Sequence, residues 1–178
     1  MDIYMPMATT IRHNKITTRL SIAMAELEEK KEVLALQEEC ALVHWGRKNE
    51  PGFKKLVDIN DIDDIDEFRK FTIYELEFVK PDFLIFKKNK YLCNEKETRT
   101  AGYPDLIVEV WSESNEKSEK YFKLGLYSTS PVTEHWYIEQ DSNEVICYLG
   151  DKRIDNQSLK DILRTQDGLE FDLRYLAI

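Results

Sequence analysis

The sequence predicts an α+β fold, one mixed sheet flanked by helices. Three observations carry that reading. Apolar residues recur at helical spacing near the N-terminus and again after residue 115. Short apolar, β-branched runs stand between them, Phe83-Leu84-Ile85-Phe86 and Leu106-Ile107-Val108-Glu109-Val110. Two more runs, from His135 to Glu139 and from Glu144 to Leu149, flank an Asp141-Ser142-Asn143 turn and read as a hairpin. The order is helix, strands, helix, strands.

The first helix draws its apolar stripe from Ile11, Ile16, Leu20, Ala23, Met24 and Leu27, with Thr9 or Thr10 as its cap. It ends in the charged run from Glu28 to Glu32, and His13 is expected to be exposed in its first turn. A strand is expected around Cys40 to Trp45, closed by Gly46, with His44 facing away from Val43 and Trp45. Asp58 to Glu67 carries six acids. It lacks the mid-loop glycine and terminal Glu of a calcium loop, so it reads as a solvated acidic loop. Phe71 to Val79 alternates like a strand. After Trp111, Ser112 to Asn115 reads as a loop and cap, followed by a helix from about Glu116 to Ser128 with Tyr121, Phe122, Leu124 and Tyr127 buried. Gly168 to Leu173 alternates and is expected to add an edge strand.

A length of 178 residues suits one domain spanning 1–178, with room for a core. No apolar run is long enough to span a bilayer. The opening residues carry no basic segment followed by an apolar core, so no secretory signal is expected. Three scattered cysteines, Cys40, Cys93 and Cys147, have no metal-ligand spacing and suggest reduced thiols in a cytoplasm. A net charge of −9 argues against a broad basic face and strong non-specific binding of DNA by a monomer.

The stretch from Pro81 to Lys123 holds the chemistry. Glu109 lies inside an apolar strand, where a carboxylate is costly to desolvate without a cation or donor. The two apolar runs and the polar connection from Lys87 to Thr100 predict an antiparallel hairpin, which makes Asp82 a neighbour of Glu109. Two carboxylates on one face suit Mg²⁺ or Mn²⁺. Asp105, four residues before Glu109 on the same strand, lies roughly 13 Å from it at ~3.3 Å per residue, and reads as a turn residue after Pro104.

Four blocks in this order resemble the Uma-two family within the PD-(D/E)XK nuclease superfamily. They are Pro81-Asp82, the run from Gly102 to Ser112, Lys123-Leu124 with Tyr127, and Glu134-His135-Trp136-Tyr137-Ile138. The resemblance implies a restriction-endonuclease-like core with Asp82 and Glu109 as metal-binding acids, Mg²⁺ or Mn²⁺ as cofactor and DNA as substrate. The superfamily lysine belongs two residues after Glu109, where this chain has Trp111. The family pattern moves that role to the next helix, at Lys123; read without the resemblance, Lys123 is a solvated helix residue. Some relatives add an acid from the first helix, for which Glu26 and Glu28 are candidates. The stretch from Ser128 to Thr133 departs from the glycine-containing turn of the pattern.

The implied activity is Mg²⁺-dependent hydrolysis of DNA phosphodiester bonds with Asp82, Glu109 and Lys123 as catalytic residues. The alternative is a catalytically inactive protein on the same fold, acting as an interaction or structural module. A homodimer is expected, because strands near Trp136 and Phe171 are read as lying toward an open sheet edge that needs cover.

Overall fold

The computed structural model describes residues 11–30, 33–37, 41–44, 56–57, 59, 77–87, 91–93, 99–112 and 115–177. In chain order the elements are helix α1 (Ile11–Lys30) and strands β1 (Val33–Gln37), β2 (Ala41–His44), β3 (Glu77–Val79), β4 (Phe83–Lys87), β5 (Leu92–Cys93), β6 (Arg99–Ala101) and β7 (Leu106–Trp111). Then come helix α2 (Lys117–Tyr127) and strands β8 (Glu134–Glu139), β9 (Glu144–Leu149), β10 (Lys152–Arg153), β11 (Gln157–Ser158), β12 (Ile162–Arg164) and β13 (Glu170–Asp172). The fold is α+β. The helix cap at Thr9 or Thr10, both ends of the Cys40–Trp45 run, the acidic loop apart from Ile59, and most of the Phe71–Val79 run lie outside the described residues.

The main sheet runs β1-β4-β7-β8-β9-β10, with β11 also pairing β9. Neighbours are antiparallel except β7 and β8, which are parallel and joined through α2. A parallel pair needs such a crossover, and this one carries a helix across one face of the sheet.

Alternation sorts the side chains. Phe83, Ile85, Leu106, Val108, Val110, Trp136 and Ile138 pack with Ile16, Leu20, Met24 and Leu27 of α1 and with Phe171 and Leu173 of the tail. Leu84, Phe86, Ile107 and Tyr137 point the other way and pack with Leu126 and Tyr127 of α2. The sheet therefore has an α1 face and an α2 face. Each fully buried aliphatic or Phe side chain contributes about 1.5–3 kcal/mol, so the sandwich of two cores around one sheet dominates stability.

Four expectations are corrected. His13 is buried on the α1 stripe, three residues before Ile16, while Ile11 is 78% exposed. The polar connection after β4 is more than a loop: β5 and β6 belong to a second sheet, β3-β2-β6-β5. The parallel pairing of β6 with β2 is non-local, and two- and three-residue strands leave no periodic signal. On α2, Leu126 and Tyr127 are buried, whereas Tyr121 is 71% and Phe122 49% exposed. The sheet-facing stripe of α2 holds Lys120 and Lys123 in its middle, displacing the aromatics outward. Finally, β13 pairs only with β12, outside the main sheet. Phe171 is buried against Trp136, with ring centroids 5.5 Å apart, so neither residue offers an edge for a second copy.

Candidate active site

Strands β4 and β7 pair in the register Phe83↔Val108, Leu84↔Ile107, Ile85↔Leu106. One step further sets Asp82 opposite Glu109. Asp82 precedes Leu84 by two residues and Glu109 follows Ile107 by two, so both carboxylates belong to the α2 face. Asp82 Oδ2 accepts the Val110 N–H at 2.5 Å. Strand β4 starts only at Phe83, and this side chain extends the pairing past its end. That bond ties the first acid to the strand carrying the second.

Helix α2 completes the site. Lys123 Nζ lies 2.9 Å from Glu109 Oε2 and donates to the Lys80 carbonyl at 3.4 Å. It is also 3.6 Å from Glu119 Oε1, one turn earlier. Four residues on, the Tyr127 hydroxyl donates to Glu109 Oε1 at 2.6 Å. Residues i and i+4 share a helix face, so a single face of α2 addresses both oxygens of one carboxylate. Tyr127 was assigned only a packing role from the sequence. Its spacing from Lys123 was the signal that could have placed it here.

Glu109 is 2% exposed. Burial raises its carboxyl most, Lys123 opposes, Asp82 raises it further, and the hydrogen bonds from Tyr127 and Lys123 oppose again; the outcome is a value pushed up to about 7. For Lys123 burial pulls downward, but Glu109, Asp82 and Glu119 outweigh it and hold the ammonium above its ordinary value. Burial and the Glu109 charge keep Tyr127 protonated, a donor throughout the physiological range. Asp82, Glu109 and the more exposed Glu119 face one half-buried cation, so with these acids ionised the group carries an excess negative charge.

The surroundings are aromatic. Tyr137 pairs with Glu109 across β7 and β8. Its hydroxyl is 2.8 Å from His135 Nδ1, and His135 Nε2 is 2.8 Å from the Gly150 carbonyl. A carbonyl only accepts, so Nε2 carries the proton and Nδ1 accepts from Tyr137. Burial lowers His135 to about 4, which keeps the ring neutral. Gly150 has φ +57, and a Cβ there would come within 3.1 Å of the Ser130 and Pro131 backbone. Trp111 packs on Tyr137 at 4.2 Å between centroids, and Lys120 Nζ lies 4.9 Å from the Trp111 ring centroid and 3.5 Å from Glu139. The strand position two after Glu109 is thus covered by a lysine from α2, though not occupied by one.

Other sequence candidates lie elsewhere. Asp105 Oδ2 accepts the Lys87 N–H at 2.7 Å at the far end of the β4–β7 pair, a turn-fixing role. Glu26 pairs with Lys30 at 3.6 Å, and Glu28 accepts the Ala35 N–H at 2.6 Å. Their helix packs on the α1 face, so neither acid joins Glu109. His44 is buried and meets the Phe122 ring at 6.0 Å. Among the described residues no group of three or more His, Cys, Asp and Glu is set to hold a metal ion. Mg²⁺ needs no such cage. It binds through one or two carboxylates and keeps several waters, which the Asp82–Glu109 pair and its charge excess fit.

Comparison with known proteins gives the family and the fold. The family model described as "Uma2: Putative restriction endonuclease" matches residues 66–177, more than half of the chain and all of the site. A solved structure described as a putative nuclease belonging to DUF820 from Anabaena variabilis ATCC 29413 is similar in fold. The TM-score is 0.60 at 13% identity, covering 99% of this chain and 87% of that one. No curated protein matches the chain.

Proposed function

Because the chain belongs to the Uma2 family, we propose that it is a divalent-metal-dependent endonuclease that hydrolyses phosphodiester bonds of DNA. The observation that carries the proposal is the placement of Asp82 and Glu109 on one sheet face with Lys123 2.9 Å from Glu109. Asp82 and Glu109 would hold Mg²⁺ or Mn²⁺. Bound there, the cation supplies Lewis-acid polarisation of a phosphoryl oxygen and a more acidic water. Lys123, half-buried and protonated, stabilises negative charge as it develops on the phosphate. Trp111 and Tyr137 wall the site and keep the local dielectric low, which strengthens both effects.

Wild type and Glu109→Gln, incubated with plasmid and with single-stranded DNA in Mg²⁺ and in Mn²⁺, test the reading. Cleavage by the wild type alone supports it. A wild type inert with every metal leaves the non-catalytic role, an interaction module on the same fold. Among the described residues no helix is long and apolar enough to cross a membrane. A cytoplasmic setting belongs to this proposal on the strength of the scattered cysteines, of which Cys147 is a buried free thiol. A homodimer belongs to it too, without the support of Trp136 and Phe171. Light scattering at micromolar concentration that returns 21.1 kDa would remove it.

A further inference from the structure

Glu109 is gripped by two different donors, and the difference between them suggests a division of labour. Tyr127 is fully buried, and its ring is held edge-on to His135 at 6.0 Å between centroids. His135 is fixed in turn by Tyr137 and Gly150. Among the described residues the hydroxyl therefore has one hydrogen-bond partner, Glu109 Oε1 at 2.6 Å. Lys123 is a long chain with three rotatable donors, its side chain 14% exposed, and it already divides its contacts among Glu109, Lys80 and Glu119.

We infer that Tyr127 is the positioning residue of the site: it anchors Glu109 through Oε1, while Oε2 is the oxygen that Lys123 yields to an incoming divalent cation. This rests on the hydrolase reading above. The physical basis is that each oxygen of Glu109 already accepts one donor in the described structure, so an incoming cation competes with one donor or the other for the carboxylate. Displacing Lys123 removes like-charge repulsion and frees an ammonium that has other acceptors within reach. Displacing Tyr127 would leave a phenol hydroxyl buried without an acceptor, a costly arrangement. With Tyr127 in place, Glu109 keeps its rotamer as the ammonium leaves. The Lys123 ammonium is then available to the phosphate.

The inference separates two variants that a purely supporting role would not. Tyr127→Phe keeps the ring and removes only the anchor. Mn²⁺ affinity measured by calorimetry should fall about tenfold or more, the usual effect of removing a hydrogen bond that orients a ligand. Lys123→Met removes the competitor, and Mn²⁺ affinity should hold or rise, although cleavage falls. Both variants are melted alongside to confirm cooperative unfolding. A wild type that binds Mn²⁺ together with a Tyr127→Phe variant that binds it equally overturns the assignment of Tyr127 and leaves the hydrolase reading intact. Equal loss of affinity in Tyr127→Phe and Lys123→Met overturns the division of labour. A wild type that binds no Mn²⁺ overturns the hydrolase reading and this inference with it. If Tyr127→Phe does not fold, Lys123→Met alone decides: weakened Mn²⁺ binding rejects the inference, and unchanged or tighter binding supports it.

Discussion

The two parallel strands each bury a glutamate, and the two glutamates face opposite sides of the sheet. Glu109 of β7 is 2% exposed and Glu134 of β8 is 3% exposed. Burial raises both carboxyls. Their partners differ. Glu134 accepts from neutral donors, the Trp136 indole N–H at 2.7 Å and the Gln166 backbone N–H at 2.7 Å. Those bonds fasten the tail loop to the sheet. Glu109 is met by an ammonium, a phenol and a second carboxylate nearby. Burial alone therefore does not mark a functional acid. What separates Glu134 from the acid proposed as catalytic is the direct partners: Glu134 accepts from neutral N–H groups, with the Asp167 charge further off, and Glu109 is met by an ammonium with a second carboxylate beside it.

The largest expected difference between the two is in activity. Glu109→Gln should reduce Mg²⁺-dependent cleavage by a factor of about 100 or more, while Glu134→Gln should leave cleavage per folded molecule unchanged. Plasmid nicking assays normalised to folded protein decide this, and equal losses in the two variants would dissolve the comparison. In stability the order reverses. Glu134→Gln replaces one of two accepting oxygens with an NH2 that faces an N–H, while the other oxygen still accepts, and should cost about 1–3 kcal/mol in urea unfolding. Glu109→Gln, which also relieves charge repulsion with Asp82, should cost less.

Next in size is the effect of removing Lys123. A lysine on an open helix surface would be nearly neutral to remove, but this one is paired with a buried acid. Glu109 has a folded-state pKa above its ordinary 4.5, so its contribution to stability is present in full below that value and is lost as pH rises through about 7. Lys123→Ala raises the folded value further. The variant should therefore be near wild-type stability at pH 5 and less stable by about 1–3 kcal/mol at pH 8, a pattern that melting curves at the two pH values resolve. A deficit that is larger at pH 5 would contradict the pairing.

The smallest effect is on the acid side. His135 is lowered from 6.5 to about 4, so its contribution is complete above the first value and lost as pH falls through the second. Between about 4.5 and 6.5 the slopes from His135 and Glu109 oppose each other. The wild-type stability profile there should be comparatively flat. His135→Gln should uncover the Glu109 slope, with stability falling as pH rises across that interval. An unchanged profile would show that His135 is not held neutral.

Much of the site was legible because its parts obey short-range rules. Period-two alternation and two apolar runs were enough to pair β4 with β7 and to set Asp82 against Glu109. Lys123 came from a motif resemblance, and the structure sets it against Glu109. Tyr127 escaped because an aromatic on an apolar stripe reads as packing, and its hydroxyl has no pattern of its own. The exposure of Tyr121 and Phe122 was misjudged for a related reason: the inner stripe of α2 is set by the acid it must meet, against the hydrophobic preference of its residues. Glu26 and Glu28 are no more than candidates from the sequence, because helix order says nothing about which sheet face a helix covers. The second sheet and the β12–β13 ribbon depend on pairings of two or three residues, too short to leave a periodicity.

The crossover through α2 has a kinetic consequence. The bonds that build the site join residues 14, 18 and 28 apart in sequence, Lys123 to Glu109, Tyr127 to Glu109 and Val110 to Asp82. The Arg12 side chain of α1 bonds the Gln140 carbonyl across a separation of 128. Closing the longer loop costs roughly 2 kcal/mol more in chain entropy than closing an 18-residue one. In refolding, the strand–helix–strand unit should therefore gain amide protection before α1 docks. In the native protein, opening of α1 should occur by a separate excursion of lower free energy, with the amides of β7 and β8 still protected. Pulsed hydrogen exchange reads both, and α1 amides protected first would reverse the order.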